Sequence, residues 1–192
     1  MTKALKYIAI IPARYASTRF PGKPLAMLGG KPVIQRVWEQ VSSVVDAAVV
    51  ATDDERIAQA VESFGGRAIM TSPNHKSGTD RCWEAYKKQG EEFDVVINVQ
   101  GDEPFIQPDQ IQALMECFPT EIATLVHPFT HKDTLADLQN PNYVKVAIAH
   151  ENNTTTIGRA MYFSRSVIPH LRGIAIEDWL RQGQHFRHQH YQ

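Results

Sequence analysis

The chain has 192 residues, of which 43% are hydrophobic and 21% are charged. This length holds one ordinary domain, or one domain with a small appendage, and the composition excludes a disordered or collagen-like chain. The 20 Lys and Arg residues balance 21 Asp and Glu residues to a net charge of -1, which argues against a broad surface for nucleic acid. Any anion-binding site must therefore be local.

The cysteines and the first apolar run exclude further classes of protein. Cys82 and Cys117 are 35 positions apart and have no CxxC spacing, so we expect free core thiols rather than a disulfide or a zinc site. The apolar run Ile8–Ile11 is too short for a signal peptide or a membrane span. We therefore expect a cytoplasmic protein that binds neither membranes nor nucleic acid.

Short β-branched runs alternate with helix-period stretches along the first two thirds of the chain. The predicted buried strands are Tyr7–Ile11, Ala47–Ala51, Arg67–Met70, Asp94–Val99 and Ile122–Val126. The predicted helices begin after Pro32 and after Asp54, and run over Thr79–Gln89 and Pro108–Cys117. This alternation predicts a Rossmann-like α/β fold, a mostly parallel sheet flanked by helices.

The alternation of predicted strands and helices ends after Asn140. Val144–Ala149 and Ala160–Ser164 are predicted strands on either side of a polar turn, Asn152–Thr156, and they could form a hairpin or a subunit contact. The polar stretch from Gln182 predicts no element. Because no segment is rich enough in Gly, Ser or Pro to be a linker, residues 1–192 are expected to form a single domain. The last stretch contains the histidines His185, His188 and His190. They could chelate a metal, although a solvated tail is the simpler interpretation.

The loop between the first strand and the first helix is a candidate phosphate cradle. Residues 1–31 contain six basic residues and no acid, and in a parallel sheet this loop lies at the carboxyl edge, where ligands bind. Glycines, backbone N–H groups and the cations of Arg14, Arg19 and Lys23 together suit a polyphosphate. The loop is not a Walker A loop, because Pro24 follows Lys23, and no GxGxxG occurs. Arg14 and Lys23 are the predicted ligands, while Arg19 stays open between a functional and a structural role.

A second loop offers a carboxylate at the same edge. Asp102 follows the predicted strand Asp94–Val99, and a single carboxylate completed by phosphates and water is a usual way to hold Mg²⁺. The alternative is a turn residue that caps the next helix. Ser77–Arg81 opens the third predicted helix as an N-cap, and Arg81, which is unfavourable to the helix dipole there, is predicted to contact a ligand.

These residues occur in segments that resemble one enzyme family. Ile10–Leu25 (IIPARYASTRFPGKPL) closely resembles the opening motif of the 3-deoxy-manno-octulosonate (Kdo) cytidylyltransferases. The likeness continues through five further segments: Val50–Asp53, Ser77–Arg81, Asn98–Pro104, Asn140–Val146 and Tyr162–Pro169. Sialic acid cytidylyltransferases share the general plan and match these segments less well.

The resemblance implies a nucleotide-diphospho-sugar transferase type of fold and an activity. Such an enzyme transfers CMP from CTP to the anomeric hydroxyl of Kdo and releases pyrophosphate. The product CMP-Kdo feeds lipopolysaccharide biosynthesis, and the resemblance also suggests a homodimer. In that interpretation the catalytic residues are Arg14, Lys23 and Asp102, and Asp102 holds Mg²⁺. The nucleotide-binding residues would be Ala13, Arg14, Ser17, Lys23, Arg81 and Gln100; Gln100 and Arg165 would bind the sugar acid.

One departure from the family pattern leaves an alternative open. Family members continue with a His-x-Gly-x-Tyr-x-Tyr strand, a Glu-rich helix and a late metal-binding Asp, and none of these is present in residues 1–192. We therefore expect a chain that is incomplete at the C-terminus. The alternative function is that of a truncated or inactive CTP-binding fragment, or of a cytidylyltransferase for another sugar acid such as sialic acid.

Overall fold

The computed structural model describes residues 4–16, 20–128, 134–149, 157–185 and 187–189. It divides into two compact units, Met1–Ala113 and Leu114–Gln192, and each is described by itself. Among the described residues no helix is both long enough and apolar enough to cross a bilayer. The prediction of a single domain stays a prediction.

The first unit is built on a four-stranded parallel sheet of order β5-β4-β1-β6. Its strands are β1 (Tyr7–Ala13), β4 (Ala47–Thr52), β5 (Arg67–Met70) and β6 (Val95–Asn98), with a short hairpin of β2 (Met27–Leu28) and β3 (Lys31–Pro32). Its helices are α1 (Val33–Ser42), α2 (Glu55–Ser63) and α3 (Gly78–Gln89), and α4 (Pro108–Met115) ends at the division. These bounds confirm the predicted βα alternation and the fold class.

The direction of the connections fixes the layers of this unit. The connections through α1 and α2 run one way across the sheet and the connection through α3 runs the other way. Because such crossovers are right-handed, α1 and α2 lie on one face and α3 on the opposite face. Ile8 and Ile10 of β1 accordingly pack with Cys82 and Ala85 of α3, and burial raises the pKa of the Cys82 thiol to about 12.

Local chemistry determines where two of the helices begin. The Asp54 side chain accepts a hydrogen bond from the Arg56 N–H at the start of α2, and the Ser77 side chain accepts one from the Asp80 N–H at the start of α3. Helix α3 ends at Gly90, which has a φ of 89°. Both helix starts lie at the carboxyl edge of the sheet.

The second unit contains an antiparallel sheet of order β7-β10-β8-β9. Its elements are β7 (Val126–Pro128), α5 (Leu135–Gln139), β8 (Lys145–Ala149), β9 (Arg159–Ser164), a 3₁₀ helix (Ile176–His185) and β10 (Arg187–Gln189). Leu138 and Trp179 form its small core. The antiparallel pairing of β8 with β9 confirms the predicted hairpin, whereas its predicted turn, Asn152–Thr156, lies outside the described residues.

Two sequence predictions in this region are wrong. The run Ile122–Val126 is not a buried strand: Ile122 is 85% exposed, and only Val126 belongs to β7, which is antiparallel. The stretch from Gln182 was expected to form no element, yet it completes the 3₁₀ helix and then forms β10 between β7 and β8. Strand pairing there uses backbone groups, which leave no hydrophobic pattern in the sequence.

Candidate active site

Two loops leave neighbouring strands at the carboxyl edge of the parallel sheet. Strands β1 and β6 pair directly, so the loop after Ala13 and the loop after Asn98 begin side by side. They converge on an ion pair in which Lys23 Nζ donates to Asp102 Oδ2 at 2.7 Å. The Lys23 and Asp102 side chains keep 41% and 49% of their surface exposed. This contact confirms the sequence-based expectation that the two residues meet at the same edge of the sheet.

Lys23 is positioned by a tight closure of its own loop. The Gly22 N–H donates to the Tyr15 carbonyl at 2.8 Å, and Gly22 has a φ of 72°, which favours glycine. A Cβ on Gly22 would also lie 3.0 Å from the Tyr15 ring. The guanidinium carbon of Arg56 stacks 3.4 Å above the centre of that ring. Helix α2 therefore braces the turn from which Lys23 extends.

Asp102 is positioned by close backbone packing. The Val99 N–H donates to the Ile10 carbonyl at 3.1 Å, so the pairing with β1 extends one residue beyond β6. A Cβ on Gly101 would lie 2.8 Å from the Pro12 carbonyl oxygen, closer than side-chain carbons approach. Only glycine lets the loop lie this close to the end of β1. The following Glu103 is half-buried, and burial raises the pKa of its carboxyl, an effect that the charge of Asp102 increases.

A second ion pair lies at the same edge, one strand further along. Arg81 of α3 contacts Asp53, which follows β4, with a distance of 3.0 Å between Nη2 and Oδ2. Arg81 also donates to the Thr71 hydroxyl at 2.6 Å, and Thr71 in turn donates to the Thr52 carbonyl at 3.1 Å. The Arg81 side chain is only 5% exposed. Its predicted contact with the nucleotide stays a prediction, while the structure gives it a set of protein partners.

The remaining predicted residues are placed as follows. Ala13 is buried at the end of β1, and Arg14 is exposed immediately after it. Gln100 is half-buried, and its Nε2 would lie 3.9 Å from a Cβ on Gly78. Arg165 belongs to the second unit, where it donates to the Pro141 carbonyl at 2.8 Å. Ser17 and Arg19 lie outside the described residues, as do the side chains of the histidine run.

Sequence reasoning missed Asp53 as a site residue. It was noted only as the end of the resembling segment Val50–Asp53, although an acid directly after a buried parallel strand is the same signal that identified Asp102. The partner of Asp53, Arg81, is 28 positions away, and only the strand order brings the two together. The signal was present, but the pairing was not readable from the sequence.

The arrangement at Lys23 and Asp102 suits a metal-bound polyphosphate. A cation and a carboxylate, both exposed and already in contact, offer charge for phosphate oxygens and an oxygen ligand for a hard cation. Within the described ranges no three His, Cys, Asp or Glu side chains cluster as a metal site. A metal ion at Asp102 would need its remaining ligands from the bound phosphates and water, as Mg²⁺ usually takes them.

Comparisons with known proteins identify a family for this chain. The family described as Cytidylyltransferase matches residues 8–192. The 3-deoxy-manno-octulosonate cytidylyltransferase of Phocaeicola vulgatus is 58% identical over 187 residues, which are 96% of this chain and 72% of that protein. The protein of the same name from Bacteroides thetaiotaomicron is also 58% identical, with the same coverage.

One solved structure gives the same assignment, and a more distant one shares the fold. The structure of CMP:2-keto-3-deoxy-manno-octonic acid synthetase complexed with CTP superimposes with a TM-score of 0.76 at 40% identity, covering 96% of this chain and 71% of that one. A cytidylyltransferase from Leptospira borgpetersenii superimposes with a TM-score of 0.55 at 21% identity, covering 66% of this chain and 57% of that one. The second likeness concerns the fold alone.

Proposed function

Because the chain belongs to the family of 3-deoxy-manno-octulosonate cytidylyltransferases, we propose that it transfers CMP from CTP to Kdo. The observation that carries the proposal is the contact between Lys23 and Asp102 at 2.7 Å on the carboxyl edge of the sheet. The contact supports the proposal because it brings an ammonium group, which could bind phosphate, and a carboxylate, which could bind a metal ion, close enough for both to reach one triphosphate.

The reaction is an in-line displacement at the α-phosphorus of CTP. The anomeric oxygen of Kdo forms the new P–O bond, the bond from the α-phosphorus to the bridging oxygen breaks, and pyrophosphate leaves with the electron pair. The hydroxyl proton is released. Negative charge grows on the phosphoryl oxygens and on the leaving group, so positioning and charge stabilisation lower the barrier without a covalent enzyme intermediate.

The residues of the chain have separate tasks in this proposal. Lys23 and Arg14 extend from the loop after β1 and neutralise the phosphates. Asp102 would hold the metal ion, and Gln100 would border the nucleotide or the sugar. If Lys23 turned to a phosphate, the Asp102 oxygen that it contacts would be free to bind a metal ion. An exposed pair can exchange partners in this way because water already screens it.

Magnesium is the proposed cofactor. Bound Mg²⁺ would neutralise phosphate charge and hold the nucleotide and the sugar acid in register. The fit rests on the donor chemistry of Asp102, whose carboxylate is half exposed and already carries a cationic partner. Phosphates and water would supply the remaining ligands of Mg²⁺.

The proposal also includes the pathway, the cellular location and the oligomeric state of the enzyme. We place the reaction in lipopolysaccharide biosynthesis in the cytoplasm and expect a homodimer. In β9 both faces carry exposed apolar side chains, with Met161, Tyr162 and Phe163 exposed by 56%, 64% and 43%, and this strand is a candidate contact with a second copy.

The proposal is tested by product formation from CTP and Kdo. We expect wild-type protein to release pyrophosphate and form CMP-Kdo with Mg²⁺, and to do neither in EDTA. Asp102→Ala should lower the turnover rate by about 100-fold or more, the usual loss when charge stabilisation is removed, whereas Glu92→Ala, at an exposed acid elsewhere, should keep it. Undiminished turnover by Asp102→Ala, or turnover without a divalent cation, would reject the proposal. Sialic acid in place of Kdo tests the choice of sugar.

A further inference from the structure

A single carboxylate holds the loop between β5 and α3. Glu84, in the second turn of α3, accepts a hydrogen bond at Oε2 from the Ser72 N–H at 2.9 Å. The same oxygen contacts Nε2 of His75. Its Oε1 pairs with Lys88 Nζ at 2.6 Å, and Lys88 also donates to the Met70 carbonyl at 2.9 Å. Glu84 thus joins its own helix to two positions of the loop, and Lys88 adds the end of β5.

The protonation states of this group follow from its contacts. Hydrogen bonds from Lys88, from the Ser72 N–H and from His75 lower the pKa of Glu84 to about 2. The carboxylate is therefore ionised at neutral pH and has no proton to donate. Since it can only accept, Nε2 of His75 must carry the proton of their hydrogen bond. The contact needs a donor at that position, and an ionised histidine is not required.

The held loop leads directly to the candidate active site. It ends at Ser77, the N-cap of α3, and the next residue is Gly78. A Cβ on Gly78 would lie 3.4 Å from Pro12, which precedes Ala13 and Arg14, and 3.9 Å from Nε2 of Gln100, which precedes Asp102. The start of α3 therefore borders both loops of the site. A shift of this loop would move Ser77 and Gly78, and with them the surface that borders Gln100.

We propose that Glu84 and His75 are positioning residues that fix the β5–α3 loop. They thereby fix the side of the nucleotide pocket that Ser77 and Gly78 form beside Gln100. The inference rests on the proposed function, because it assigns a nucleotide to that pocket. Neither residue needs to touch the nucleotide. Their effect passes through Ser77 and Gly78, whose placement beside Gln100 sets the space that CTP enters.

The test compares CTP affinity with thermal stability in matched variants. In the presence of Mg²⁺, calorimetry should show that Glu84→Ala and His75→Ala weaken CTP binding by about tenfold, the lower end of what outer-shell partners of a site contribute. His75→Gln, which keeps a side-chain N–H donor, should restore most of the affinity. Glu62→Gln, at an exposed acid on α2, should bind as the wild type does.

The rescue separates positioning from general support of the fold. A purely structural role would lower the melting temperature of His75→Ala and His75→Gln without a matching difference in CTP affinity, and that result would overturn the inference. Unchanged affinity in folded Glu84→Ala would overturn it as well, while the proposed function would stand. If the wild-type protein did not bind CTP with Mg²⁺, the proposed function and this inference would both fall.

Discussion

Two ion pairs at the carboxyl edge of the parallel sheet have similar components and different environments. Arg81 and Asp53 lie at the end of β4, with side chains only 5% and 18% exposed, whereas Lys23 and Asp102 lie at the end of β1 and β6 with 41% and 49% exposed. Separating a buried pair whose arginine also donates to a buried hydroxyl costs a large part of the stability. An exposed pair gains little from its contact and can exchange it for a ligand. Burial therefore distinguishes the pair that holds the edge together from the pair that is proposed to face the substrate.

The largest effect is expected from breaking the buried pair. Asp53→Ala leaves the Arg81 guanidinium buried without its carboxylate, and removing one partner of such a pair costs about 3 kcal/mol of unfolding free energy. Urea denaturation of the variant measures this loss. A loss below about 1 kcal/mol, the range of surface pairs, would show that the Arg81–Asp53 pair is no more important than an exposed one.

The next effect concerns the approach of the Asp102 loop to β1. Gly101→Ala forces a Cβ against the Pro12 carbonyl oxygen, and overpacking of this kind costs about 1 to 3 kcal/mol. The displaced loop should also lower the turnover rate, because Asp102 follows directly. Gly78→Ala is the matched control: its Cβ would be 3.4 Å from Pro12, an ordinary contact, so stability should hardly change. Equal melting temperatures for the two variants would contradict the packing argument.

A smaller stability change is expected when the exposed pair is broken. Asp102→Asn removes the charge of the carboxylate and should change the unfolding free energy by less than about 1 kcal/mol, although it abolishes most of the activity. Differential scanning calorimetry beside the activity assay checks both parts. A destabilisation as large as that of Asp53→Ala would erase the distinction between the two pairs.

The smallest effect is a change in the pH dependence of stability next to Asp102. Burial and the charge of Asp102 raise the pKa of Glu103 above its ordinary 4.5. The contribution of Glu103 to stability is therefore complete below its unfolded pKa and is lost as pH rises through the folded pKa. Glu103→Gln removes this loss, so its urea midpoint should exceed that of the wild type at pH 7. The advantage should disappear towards pH 4. An advantage that grew on acidification would contradict the sign.

The strands and helices of the parallel sheet could be predicted from the sequence for a physical reason. Buried parallel strands require continuous apolar runs, and each helix between them needs a start signal, so strands such as β1 and helices such as α3 leave local marks. The carboxyl-edge rule then placed the Lys23 and Asp102 loops together without coordinates.

The rest of the site depended on contacts between distant positions. Arg81 reaches Asp53 because of the order of the strands, and Glu84 reaches Ser72 and His75 because a loop folds back onto its own helix. The antiparallel region was harder still: Ile122 is apolar but exposed, and β10 is polar but paired. Hydrophobic pattern reports burial of side chains, whereas these elements are determined by backbone pairing.

The central claim is that Lys23 and Asp102 grip one metal-bound triphosphate together. A double-mutant cycle on the affinity for CTP with Mg²⁺ tests it most directly, with Lys23→Ala, Asp102→Ala and the double variant measured by calorimetry. Once one residue is removed, the other contributes less to the binding free energy of CTP. The loss of binding free energy in the double variant should therefore fall short of the sum of the single losses by about 1 kcal/mol or more. Additive losses, within about 0.3 kcal/mol, would mean that the two residues act independently and would contradict the account.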